Sequence, residues 1–131
     1  MADFGVEFPD GHVSDMATMG YGRCVIASDV RLCDTTTRVL GASFRVHTGP
    51  ILTVHVVTGT DSTAARRARH YPSVIAEAME GYGVGSAAQN AQFMEVRVIS
   101  NAVGVRDTTQ WRIPEALDTL RQVISACKEG W

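Results

Sequence analysis

Cysteine is scarce in this chain. The three residues present, Cys24, Cys33 and Cys127, are odd in number and never stand in Cys-x-x-Cys spacing. That pattern argues against a disulfide framework and a structural metal, and its simplest setting is a reducing, cytoplasmic compartment. Long apolar runs are missing as well, since none approaches the roughly 18 residues of a membrane span. The opening MADFGVEFPDGH lacks the charged-then-apolar pattern of a secretion signal. Positive charge is not in excess. A formal net charge of −2 gives no footprint for nucleic acid or for anionic lipid. The basic cluster Arg66-Arg67-Ala68-Arg69-His70 suits the C-terminal end of a helix, where it complements the dipole. No Gly-x-Ser-x-Gly elbow, Walker-type loop, internal repeat or low-complexity linker occurs.

What is present is an ordinary globular composition. The 131 residues are 45% hydrophobic and 20% charged, enough for one domain over residues 1–131 with a core of useful size. Residues 1–22 carry turn signals at Pro9-Asp10-Gly11 and Gly20-Tyr21-Gly22, and predict loop with at most one short strand. Cys24–Ala27 is a short apolar run, Asp34–Thr37 is polar, and Ser43–His47 alternates weakly as a strand would. Ile51–Val57 is the clearest strand, β-branched almost throughout. Asp61 or Ser62 suits the cap of a helix over Thr63–Arg69, which Tyr71-Pro72 breaks. Toward the end, Asp107 and Gln110 have capping-box spacing. Pro114 fits the first turn of a last helix, whose apolar stripe runs through Ile113, Ala116, Leu117, Leu120, Val123, Ile124 and Cys127. That stripe calls for packing and for no chemistry.

The organising stretch is Val74–Asn101. Its spacing predicts a mostly buried helix from about Ser73 to Gln89, then a strand over Phe93–Ser100. Gly81, Gly83 and Gly85 each cost up to about 1 kcal/mol in a helix interior, which implies close approach by a neighbouring element. Two polar residues interrupt the apolar pattern, Glu80 and Asn101. A buried carboxylate needs compensation. Solvent or a backbone N–H supplies it on the ordinary reading; the hydroxyl groups of a ligand supply it on the functional one. Met79 alone reads as core, and Asn101 alone as a turn after a strand. His47, His55 and His70 have no partner at catalytic spacing and read as structural. The order strand, helix, helix, strand, helix indicates an α/β layer architecture, in which ligands bind beyond the carboxyl ends of strands. Thr58-Gly59-Thr60 and Ser100-Asn101 are two such ends.

Several motifs then converge. Tyr71-Pro72-x-x-Ile75-Ala76-x-x-Met79-Glu80 resembles the segment of the purine nucleoside phosphorylase and nucleosidase superfamily that carries its ribose-binding Met-Glu pair. Val96–Asn101 resembles the strand ending in that superfamily's purine-contacting residue. Glu77–Gly83, together with Ser100-Asn101-Ala102-Val103-Gly104-x-Arg106-Asp107-x-x-x-Trp111-Arg112-Ile113, is similar to the futalosine hydrolase family. Gly49–Val54 and Val57–Thr60 fit it also, and the opening residues match the family's middle more loosely. The family's chains continue well upstream of this one, with the first strands of the sheet, their glycine-rich turns and the glutamate that activates the attacking water. The resemblance is therefore to a C-terminal portion. It implies a three-layer, mixed-sheet, nucleoside phosphorylase/hydrolase-like α/β fold lacking its N-terminal strands.

The resemblance also implies chemistry. Cleaving the N-glycosidic bond of futalosine releases hypoxanthine, in a menaquinone pathway. The reaction passes through an oxocarbenium-like sugar while negative charge develops on the base, so the ribose must be gripped and the departing base stabilised. Glu80 would accept the 2′ and 3′ hydroxyls and Met79 would pack on the sugar. Asn101 would serve catalysis by donating to N7 or O6 of a 6-oxopurine, where relatives acting on adenine nucleosides place an aspartate. Thr58, Gly59 and Ser100 would complete the substrate site, and no cofactor or metal is expected. Arg106, Asp107 and Trp111 match the motif without a derivable role. The expected partners are a purine nucleoside and further copies of the chain. The rival reading is a catalytically inactive remnant or an oligomerising nucleoside-binding module.

Overall fold

The computed structural model describes residues 1–130. It is a mixed α/β chain with two small sheets. The first is a hairpin of β1 (Gly5–Glu7) and β2 (Val13–Asp15), antiparallel with Val6 opposite Ser14. Pro9-Asp10-Gly11 makes its turn. The amide of His12 donates to Asp10 Oδ1 at 2.9 Å, and Gly11 takes a φ of +80°, a conformation that favours glycine. Both turn signals were legible, but the expectation of one strand at most undercounted by one.

After the hairpin comes α1 (Val30–Gly41), which the sequence did not announce. Asp34-Thr35-Thr36-Thr37 is poor helix material, because β-branched threonines lose rotamer freedom against the preceding turn. Tertiary packing overrides that preference. Asp29 caps the helix by accepting from the Leu32 amide at 2.9 Å, and Thr36 and Leu40 are buried four residues apart. The expected strand over Ser43–His47 does not form.

The second sheet pairs β3 (Ile51–Thr53) with β4 (Ala76–Ala78) in parallel, Leu52 opposite Glu77, with α2 (Asp61–His70) between them in sequence. Such a strand–helix–strand unit is the usual way to join parallel strands. Met1–Asp3 lies along the other side of β3, where the Thr53 amide donates to the Met1 carbonyl at 2.7 Å and the Asp3 amide to the Thr53 carbonyl at 2.9 Å. Ala2, Leu52 and Val54 are buried here. The expected strand Ile51–Val57 is thus cut short. Its ladder ends where β4 ends, after one last bond from the Val54 amide to the Ala78 carbonyl, and Val56 and Val57 are exposed. The cap of α2 is Thr60, not Asp61 or Ser62.

The largest correction falls on the helix expected over residues 73–89. It is two elements: β4, then α3 (Gly81–Ala88). Ala76-Glu77-Ala78 is helix-prone by composition, and pairing with β3 makes it a strand. Two of the three glycines expected to mark a close approach do so. A Cβ at Gly81 would collide with the Glu95 carboxylate, and one at Gly85 would meet the Phe93 ring at 2.9 Å, while Gly83 faces open space. The strand expected over Phe93–Ser100 is irregular and joins no ladder.

The chain closes with a short 3-10 turn, Thr108–Gln110, capped by Asp107, and with α4 (Ile113–Gly130). α1 and α4 pack together, with Gly130 set so closely on Val39 that a Cβ would come within 2.7 Å. Val123 from the expected stripe is buried, but Ile113, Leu117 and Ile124 stay exposed, because α1 covers only one side of it. The whole exposes 9181 Å² of accessible surface. A compact monomer of 14.1 kDa would expose about 6,700 Å², so roughly a third more surface is open than mass alone requires. Among the described residues, no helix is long and apolar enough to cross a membrane.

Candidate active site

Two parallel strands end side by side, and the segments that follow them carry most of the residues singled out above. β3 runs on into residues 54–60 and β4 into residues 79–80. Thr58 and Gly59 therefore lie past one strand end, Met79 and Glu80 past the other, as the α/β rule for ligand sites requires.

Thr58 is the better anchored. Its amide donates to Glu77 Oε1 and its hydroxyl to Glu77 Oε2, each at 2.7 Å. The same hydroxyl accepts from Arg67 Nη1 at 2.5 Å. Arg67 reaches in from α2, pairing with Glu77 Oε2 at 3.3 Å and with Asp3 Oδ2 at 3.1 Å, and donating to the Val56 carbonyl at 2.9 Å. The side chains of Arg67 and Glu77 are each only 13% exposed. Tyr71 closes the cluster, its hydroxyl donating to Asp3 Oδ1 at 3.0 Å. Burial, reinforced by the Asp3 carboxylate, pushes the Tyr71 phenol well up, so it stays a proton donor at neutral pH.

Glu80 stands apart from this cluster. It occupies the residue before α3 without capping it. That duty falls on Thr53, whose Oγ1 accepts from the Tyr82 amide at 2.8 Å. The Glu80 side chain is 63% exposed and pairs with Arg97 at 2.9 Å. Arg97 also donates to Glu95 Oε1 at 2.6 Å. The hydrogen bond from Arg97 holds the Glu80 carboxyl below the usual carboxylate range, so it is a charged acceptor at neutral pH. Its Oε1 accepts no hydrogen bond among the described residues. The sequence placed Glu80 on a buried helix; the structure places it at an exposed strand-to-helix junction, where solvent and Arg97 compensate its charge. Met79 beside it is half exposed.

Asn101 is turned by its neighbours. Ser100 Oγ donates to Asn101 Oδ1 at 2.7 Å, and Asn101 Nδ2 donates to the Ala102 carbonyl at 3.0 Å. One of the two amide hydrogens is left to bind something else. The loop beyond it folds back on the β3 end, since the Arg106 amide donates to the Gly59 carbonyl at 3.2 Å. Arg106 also stacks over Trp111, its guanidinium carbon 4.8 Å from the ring centre. Arg106 and Trp111, matched to the motif without a derivable role, thus brace the loop by a cation–π contact.

The structure brings Thr58–Gly59 against the Arg106 end of the Asn101 loop, and Glu80 against Arg97 on the segment leading to Asn101. Two cavities are lined by neither Glu80 nor Asn101. One of about 460 Å³ is lined by Phe8, Asp10 and His12 at the hairpin, another of about 370 Å³ by Ala2, Asp15, Cys24 and Tyr71. Sequence reasoning missed Glu77 and Arg67. A signal existed for the first: Glu77 is the charge set between Ala76 and Ala78 in an apolar run, and the demand for a compensating partner falls on it rather than on Glu80.

Comparison with known proteins gives this arrangement a context. The chain is 41% identical over 133 residues to a futalosine hydrolase of Acidothermus cellulolyticus, across 99% of this chain and 54% of that protein. It is 37% identical over 125 residues to a futalosine hydrolase of Streptomyces coelicolor, across 94% of this chain and 51% of that protein. The chain thus spans about half the length of the curated relatives it matches. The resemblance seen at Met79-Glu80 and Ser100–Gly104 extends over nearly the whole sequence. No family model matches it, and no solved structure matches it.

Proposed function

We propose that this chain supplies the nucleoside-gripping part of a nucleosidase that hydrolyses futalosine to release hypoxanthine, a step of menaquinone biosynthesis. The observation that carries the reading is Glu80. It is an ionised, largely exposed carboxylate with one unengaged oxygen, directly past a parallel strand end, in a chain 41% identical to a futalosine hydrolase. Its free Oε1 accepts one ribose hydroxyl and its Oε2 a second, shared with Arg97. Bonds of this charge-assisted kind contribute about 1.5–3 kcal/mol each. Met79 lies against the sugar ring.

Asn101 holds the base. Ser100 Oγ donates to its amide oxygen and the Ala102 carbonyl takes one Nδ2 hydrogen, and the second hydrogen is donated to N7 or O6 of a 6-oxopurine as negative charge builds on the leaving group. Thr58 and Gly59 back the base from the β3 end. The proposed chemistry uses no cofactor or metal, because the strain of bond cleavage is met by gripping the sugar and stabilising the base. The attacking water is activated by a carboxylate outside this chain, in the half of the relatives' length that it does not span. We take residues 1–131 as one unit of a three-layer nucleoside phosphorylase-like fold that works in the cytoplasm.

The test is reconstitution. Mixed with a polypeptide carrying the remaining half of a relative, the chain releases hypoxanthine from futalosine. Alone it is slower by on the order of 10² to 10⁴, the contribution of a positioned acid–base group. Strong turnover by the isolated chain contradicts the assignment of the water-activating acid, and no turnover by the mixture contradicts the function. A second reading, an oligomerising nucleoside-binding module, is favoured by the surplus of open surface. It predicts a self-associated chain that binds inosine without cleaving it in either setting.

A further inference from the structure

We infer that Glu77, clamped by Arg67, is a positioning residue that sets the Thr58–Gly59 backbone for a purine, and that Thr58 itself donates nothing to the ligand. The inference rests on the nucleosidase reading of the site and adds to it a division of labour between the two strand ends.

Thr58 has one amide hydrogen and one hydroxyl hydrogen, and both go to Glu77, at 2.7 Å each. Its hydroxyl oxygen also accepts from Arg67 Nη1. A side chain so committed, in a residue only 9% exposed, has no donor left for a base. What it contributes is place. The next residue, Gly59, is held from the other side by the Arg106 amide, and a Cβ there would have no neighbour closer than 3.9 Å. The open face at this strand end is therefore backbone, with room for a flat ring to approach.

Arg67 makes the clamp one unit. Its guanidinium joins Glu77, Thr58, Asp3 and the Val56 carbonyl, so the strip beside β3, the segment after β3, β4 and α2 meet at one planar group. A lysine, with a single point charge, does not span those partners. Both carboxylate oxygens are needed as acceptors. In Glu77→Gln one oxygen becomes an NH2 group, and of the donors from the Thr58 amide, the Thr58 hydroxyl and Arg67, at least one loses its acceptor. The volume is unchanged.

The experiment uses the full chain, titrated by calorimetry with hypoxanthine and separately with inosine, beside amide hydrogen exchange read residue by residue. In Glu77→Gln the affinities for hypoxanthine and inosine fall together, on the order of 10-fold or more, as expected for loss of hydrogen bonds to a charged group. Exchange at Thr58, Gly59 and Arg106 quickens by a similar factor, while α1 and α4 keep their protection. Arg67→Lys gives the same pattern, weaker. Unchanged exchange at Thr58 overturns the inference, as does a Glu77→Gln chain that binds hypoxanthine like the wild type. So does a loss larger for inosine than for hypoxanthine, which marks general loosening rather than a displaced base wall. A wild-type chain that binds neither compound overturns the nucleosidase reading beneath it, a result distinct from the other three.

Discussion

Two arginine–carboxylate pairs draw on β4, one through Glu77 within the strand and one through Glu80 just past its end, and they do opposite work. Arg67–Glu77 is 13% exposed on both sides and engaged at every oxygen. Arg97–Glu80 is 35% and 63% exposed, and leaves one oxygen idle. The charges are the same; the burial is not. A buried pair is committed to the fold, because removing one member strands the other away from water. An exposed pair is available, since water substitutes for either partner at little cost. The difference teaches where to look for ligand chemistry in this chain: at the carboxylate the fold does not need.

The sharpest way to break that comparison is to delete each arginine in turn. Arg67→Ala should lower unfolding free energy by about 3 kcal/mol, near the lower end for a broken buried pair because some solvent reaches the site. Arg97→Ala should cost less than about 1 kcal/mol. Urea denaturation of both variants measures it, and equal losses would erase the distinction. The next largest effect tests whether the contrast of tight and open positions continues along α3. Gly85→Ala must displace Phe93 or Ile26 and should cost about 1–3 kcal/mol. Gly83→Ala meets open space and should gain up to about 1 kcal/mol. Thermal melting separates the two by sign.

The smallest effect is in pH. The folded-state pKa of Glu80 is lowered, chiefly by its hydrogen bond from Arg97. A group depressed on folding contributes above its unfolded value, near 4, and the contribution goes as pH falls through the lower folded value. Inosine binding through Glu80 should therefore hold steady from neutral pH down through the ordinary carboxylate range and weaken only below it. Added salt should weaken the Arg97 pair and leave the Arg67 cluster almost untouched. A titration midpoint for inosine near neutrality would point to a different group.

How much of this was legible in the sequence depended on the range of the interaction. Local features were readable: the Pro9-Asp10-Gly11 turn, the Asp107 cap and the stripe of the last helix each follow from residues a few positions apart. The split of residues 73–89 was not, because Ala76-Glu77-Ala78 becomes a strand only through pairing with residues 51–53. That one error moved the buried charge. On a helix, Glu77 and Glu80 share a face, three residues apart. As strand followed by turn, they part, and Glu77 goes inward. Likewise α1 forms against the preference of its threonines, through the Asp29 cap and packing on α4. Among site residues, the motif at Met79-Glu80 and Ser100-Asn101 was visible, whereas the Arg67–Glu77 clamp is a contact made across ten residues of chain through the fold.

The account turns on Glu80 and Asn101 holding the sugar and the base of one nucleoside, and a calorimetric cycle tests this directly. Glu80→Ala should weaken inosine by at least 10-fold and leave hypoxanthine unchanged, while Asn101→Ala should weaken both, on the scale of one charge-assisted bond or more. If Glu80→Ala left inosine binding intact, or if Asn101→Ala changed neither affinity, the two residues would not share a ligand and the assignment would be wrong.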